Sequence, residues 1–171
     1  MCIFKATLII IFLSTSLSSH AETGRGMVLF MEPTFAVGGF MGGVGCKGLY
    51  HISPNVDIPD LRDFRLYYCQ GKYTLTVDAP SGTVATVFGA FDFKPNKGFL
   101  IIKKTDDKVV WILNLENFPD RRWHSVPPKG DYGGYEAFYS PASVFDENLG
   151  SVKWGEWWGD RSLESLGSGG K

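Results

Sequence analysis

Apolar and polar residues alternate with a period of two along the middle third of the chain. Tyr73, Leu75 and Val77 share one side of an extended run, and Thr74 and Thr76 the other. The runs Val84–Phe88, Phe99–Ile102 and Val109–Leu113 are apolar at nearly every position and rich in β-branched and aromatic residues. Turn signals separate them: Asp78-Ala-Pro-Ser-Gly82, Lys94-Pro-Asn-Lys-Gly98 and Thr105-Asp-Asp107. Strands apolar on both sides need cover on both sides, so the pattern predicts an antiparallel sandwich or small barrel rather than one open sheet. Trp111 is expected to be buried within its strand.

The flanking segments extend this all-β reading to eight or nine strands. The candidates for them are Met27–Phe30, Thr34–Val37, Leu49–Ile52 and Phe64–Cys69, and later Tyr135–Ser140, Ala142–Phe145 and Val152–Trp158, not all of which are expected to form. A glycine-rich run, Gly38–Gly48, separates the second from the third. Asn55–Asp63 reads as a loop with at most one helical turn. Asn117–Gly134 holds three prolines and three glycines without periodicity, and a loop of that length inside a compact domain is commonly functional. Ser162–Leu166 suits a helical turn, and residues 167–171 a tail.

The first 21 residues read as an export leader. Lys5 precedes an apolar run from Ala6 to Leu13, and Ser19-His20-Ala21 fits the small-x-small cleavage rule. The run is too short to span a bilayer, which takes about 20 residues. Cleavage leaves residues 22–171, one domain (22–166) and its tail, with 16 basic and 18 acidic residues and no basic stripe for nucleic acid. Cys46 and Cys69 then remain as an even pair. In an oxidising compartment they are expected to form a disulfide worth roughly 3 kcal/mol in the chain-entropy model, with two buried thiols as the alternative. The leader favours a periplasmic location, with secretion as the alternative.

Motifs for bond-making chemistry are sparse. Gly43-Val-Gly-Cys-Lys-Gly48 has the letters of a dinucleotide fingerprint, but Pro54 and Pro59 follow too soon for the helix that the motif must open. Its letters reflect glycine content, and no cofactor is expected. His51 and His124 are far apart, with no H-E-x-x-H and no Cys-x-x-Cys, so no metal site is expected either. A G-x-S-x-G elbow is missing. Glu116, Glu136, Glu147 and Glu156 suit solvated strand ends.

Two clusters suit binding instead. Asn117-Phe-Pro-Asp-Arg-Arg-Trp-His124 places Arg121, Arg122, Trp123 and His124 on a proline-stiffened segment, and Arg and Trp recur among interface hot spots. Alternatively, Trp123 turns inward and the arginines pair with Asp120. Trp154, Trp157 and Trp158 offer core residues, a sugar-stacking platform or part of a protein interface; on one continuous strand Trp154 and Trp158 would share a face and Trp157 would oppose them. The expectation is a non-enzymatic exported protein that binds and blocks another protein, most concretely an immunity-type inhibitor of an envelope-directed toxin or hydrolase. A carbohydrate-binding module and a small exported hydrolase are the alternatives.

Overall fold

The computed structural model describes residues 25–33, 48–62 and 71–166. The leader, the strands predicted at Thr34–Val37 and Phe64–Cys69, both cysteines of the expected disulfide, most of the glycine-rich run and the 167–171 tail lie outside the described residues. Two antiparallel sheets pack as a sandwich and do not close into a barrel. The first sheet orders β2 (Gly48–Ile52), β1 (Gly26–Pro33), β3 (Gly71–Asp78) and β6 (Val110–Ile112). The second orders β7 (Trp123–Val126), β8 (Tyr135–Ser140), β5 (Phe99–Lys104), β4 (Val84–Phe88) and β9 (Ser151–Trp154).

Period-two alternation divides the side chains between faces. Met27, Leu29, Leu75, Val77, Val110 and Ile112 of the first sheet meet Ala85, Val87, Leu100, Ile102, Ala137 and Val152 of the second, all buried in one core. At about 25 cal/mol per Å² of apolar area, each fully buried Val, Leu, Ile or Met side chain among these contributes roughly 1.5–3 kcal/mol before entropy is counted. The opposite face of the second sheet is apolar as well. Phe88, Phe99, Ile101 and Phe138 lie there, and the chain after β9 folds back over them with Trp157, Trp158, Leu163 and Leu166. A four-residue helix, α1 (Leu163–Leu166), closes this second layer as the pattern predicted.

The strand expected over Val152–Trp158 therefore ends at Trp154, because Gly155 takes a left-handed φ of 77° and turns the chain across the sheet. Ala142–Phe145 forms no strand: Val144 adopts φ 50° and a 3₁₀ turn follows at Phe145–Glu147. The segment 117–134 is not wholly loop, since β7 forms within it and Asp120 bridges Tyr139.

Polar groups fasten the layers. Lys104 is buried at the seam, where its ammonium donates to the carbonyl oxygen of Val77 in the first sheet, at 3.4 Å, and to that of Lys108. Burial pushes this lysine's pKa down, against the pull of Asp106, Asp78 and Asp107. Trp157 donates its indole N–H to the Thr86 hydroxyl at 2.9 Å, tying the returning segment to the middle of the sheet. On the far side, Ile58 pairs with Val152, and the Asp57 carboxylate accepts from Lys153 at 2.7 Å and from the Trp154 N–H at 2.8 Å. Burial alone would raise the Asp57 pKa, but those two donors and the lysine charge outweigh it and hold the carboxyl below its usual range.

Two stability predictions follow from these fasteners. Asp57 has its pKa depressed in the folded state, so its contribution is full above the unfolded carboxylate range and lost as pH falls through the lower folded value. Thermal melts between pH 5 and pH 2 are expected to show a shallower acid decline for Asp57→Asn than for the parent; identical slopes would remove Asp57 from the acid limb. Thr86→Val leaves the Trp157 N–H without its acceptor and is expected to cost about 1–3 kcal/mol in urea unfolding.

Candidate binding face along one side of the sandwich

The sheets stack so that β2 and β9 lie along one side and β6 and β7 along the other. The Ile58–Val152 bridge joins the first pair of edges. The second pair is linked by the β7–β8 connection, whose Gly133 N–H donates to the Val109 carbonyl at 2.8 Å. This approach requires glycine, because a Cβ at Gly133 would collide with the Lys108 backbone oxygen. Asp106 braces the same corner, accepting from the Gly134 N–H and the Lys108 N–H, each at 2.9 Å. The Gly134 bond is the main cause that holds the Asp106 carboxyl below its usual range.

Exposed apolar side chains belong mostly to β6, β7 and the segments next to them, on the outer faces of both sheets. Six large hydrophobic residues are exposed among the described residues, and four of them are Trp111 (53%), Leu113 (73%), Trp123 (43%) and Tyr132 (56%). Trp111 corrects the sequence expectation. Its strand is an edge of three residues covered, among the described residues, on one face only, so Val110 and Ile112 take the core and the indole between them points outward opposite Thr76. Apolar composition marked the strand; it carried no signal of which positions would stay exposed.

Trp123 lies opposite Phe138 on the outer face of the second sheet, its ring centroid 5.7 Å from that of Phe138 and 6.5 Å from that of Trp158. One flank of the indole is thus supported and the other faces solvent. The two sequence clusters therefore meet in space through Trp123 and Trp158. His124 alternates to the other face, beside Phe118, with ring centroids 6.4 Å apart. Arg122 is exposed. Arg121 sits at φ 51° and donates its backbone N–H to the Tyr139 carbonyl at 2.7 Å, which anchors the turn that enters β7. Phe118 packs against Tyr135 behind this turn.

The tryptophan platform is corrected in its membership. Trp154 is buried in the core between the sheets, while Trp157 and Trp158 lie together on the opposite face of the second sheet with centroids 6.0 Å apart. The pairing expected from one continuous strand is reversed by the turn at Gly155. The Trp154 indole N–H is buried with no partner among the described residues, so Trp154 acts by packing volume. His51 and His124 fall on opposite sides of the sandwich, on β2 and β7. Among the described residues, no group of three or more His, Cys, Asp or Glu side chains converges as a metal site would require. No described helix is long and apolar enough to cross a membrane.

Comparison with protein families, characterised proteins and solved structures returns no match. The geometry of this side therefore carries the functional reading.

Burial separates two tryptophans that look alike in sequence. Trp154→Ala is expected to cost about 3–5 kcal/mol by emptying core volume. Trp111→Ala is expected to stay within about 0.5 kcal/mol of the parent, as exposed substitutions do. Equilibrium unfolding of both variants checks the contrast, and comparable losses would contradict the outward placement of Trp111.

Proposed function

We propose that this chain is an exported binding protein that engages and blocks another protein through its β6–β7 side. The observation that supports this reading is that Trp111 and Leu113 on the first sheet, and Trp123 and Tyr132 with exposed Arg122 on the second, stand exposed at the two edge strands and their connections. Trp, Tyr and Arg are the residue types that dominate binding energy at protein interfaces. The sandwich behind them is rigid, and a pre-ordered surface loses less entropy on association.

The leader-like N-terminus, Met1 to Ala21, and the Cys46 and Cys69 pair support export to an oxidising compartment, the periplasm in the first instance. A toxin or hydrolase acting on the cell envelope is the partner this setting favours. The burial of Trp154 weakens the alternative of a three-tryptophan carbohydrate platform. A metal-dependent hydrolase finds no group of three His, Cys, Asp or Glu side chains among the described residues that could hold its ion.

Affinity capture from the envelope fraction of the source cells, followed by mass spectrometry, tests the reading. The combined variant Trp111→Ala, Arg122→Ala, Trp123→Ala is expected to weaken the captured complex at least tenfold while keeping the parental circular dichroism spectrum. Capture that is unchanged by the combined variant would move the interface elsewhere. Failure of the parent protein to retain any partner would count against the binding class itself.

A further inference from the structure

A second site lies at the end of the five-stranded sheet, apart from the β6–β7 side. The β4–β5 connection (residues 89–98) and the β8–β9 connection (residues 141–150) rise from that end and enclose a groove of about 760 Å³. That volume is within the range of small-ligand sites, about 300–1,000 Å³. Both walls contain non-glycine residues in the left-handed region: Asp92 (φ 55°) and Phe93 (φ 57°) in the first, Val144 (φ 50°) in the second. A β-branched residue there is strained, and such strain persists only where surrounding bonds enforce it.

Those bonds are present. The Asp92 N–H donates to the Pro59 carbonyl at 2.8 Å, and the Phe93 N–H donates to the buried Ser151 hydroxyl at 3.1 Å, which itself donates to the Ala90 carbonyl at 2.7 Å. Phe93 then packs against Phe88, with ring centroids 6.1 Å apart. In the opposite wall the Asn148 side-chain amide donates to the Val144 carbonyl at 2.9 Å, and Phe145 is pinned against Tyr139 at 5.5 Å between centroids. The groove is thus held open by its own framework and needs no ligand to form.

Its lining has a definite chemistry. Lys94 and Lys97 face a single carboxylate, that of Asp92, which pairs with Lys94 at 3.5 Å. Lys97 has no ion pair, and Asn96 and Ser143 have no side-chain hydrogen bond, among the described residues. The Asn148 amide uses only its nitrogen in the wall, leaving its oxygen as an acceptor. Hydroxyl and amide groups set around a surplus cation match a polyhydroxylated ligand with one negative charge. An aromatic base is less well served, because Arg62 already covers a face of Phe91, its guanidinium carbon 4.6 Å from the ring centroid. We propose that this groove binds a short saccharide that carries an anionic group, Lys97 taking the charge and Asn96, Ser143 and Asn148 the hydroxyls.

Titration of the ¹⁵N-labelled protein, observed by NMR, tests this with four probes: a galacturonate trimer, a hexose phosphate, neutral maltotriose and an acidic hexapeptide. The carboxylated or the phosphorylated sugar is expected to shift amides of residues 89–97 and 142–148 saturably, and the two arms show which anion is preferred. Lys97→Glu is expected to weaken that binding at least tenfold with an unchanged melting temperature. Equal binding of maltotriose, preference for the hexapeptide, shifts centred elsewhere, no saturable shift below 10 mM, or an undiminished affinity in Lys97→Glu would each overturn the assignment.

Discussion

The five-stranded sheet is apolar on both faces, and the rest of the molecule is arranged to cover it twice. One cover is the four-stranded sheet, which supplies Met27, Leu29, Leu75, Val77 and Ile112 to the shared core. The other is the chain's own return after Trp154, which lays Trp157, Trp158 and Leu163 across Phe88, Phe99 and Phe138. The four-stranded sheet has no such second cover among the described residues, so Trp111 and Leu113 meet solvent at its edge. The asymmetry of the two sheets thus produces the exposed face. A rigid, doubly covered layer backs one edge strand, β7, while the singly covered layer contributes β6 beside it.

Polar fasteners complete the arrangement where apolar packing runs out. Lys104 spans the seam through two backbone carbonyls, Asp57 ties the β2–β3 connection to β9, and Asp106 holds the β7–β8 connection against the end of β6. Buried or part-buried groups of this kind add little net stability each, because desolvation offsets much of what each bond returns. Their positions also shape the proposed binding face. Asp106 and Gly133 fix the corner that carries Tyr132, and the Arg121 backbone bond fixes the turn that presents Trp123.

Much of this fold was legible in the residues. The runs at Tyr73–Asp78, Val84–Phe88, Phe99–Ile102 and Tyr135–Ser140 become strands near their expected limits, and the two-sided apolar run Val84–Phe88 is interior to its sheet. The failures have a common cause. Local pattern reports that a residue is apolar, whereas the number of layers above it is decided by chain segments distant in sequence. Trp111 looked like core and lies outside; Trp154 looked like a partner of Trp158 and occupies the opposite face. β7 was hidden because its four residues, Trp123-His-Ser-Val126, are mostly exposed and lie among prolines, so no apolar alternation marked them. The groove at the sheet end had no sequence signature, since its lining joins two turns about fifty residues apart.

The proposed recognition surface is the β6–β7 side, with the β2–β9 side left free. Hydrogen–deuterium exchange of the protein, alone and bound to its captured partner, measures this directly. Slowed exchange in Val110–Ile112, Trp123–Val126 and residues 127–134, with Gly48–Ile52 and Ser151–Trp154 unchanged, is the predicted result. Protection of β2 and β9 with β6 and β7 unaltered would contradict it.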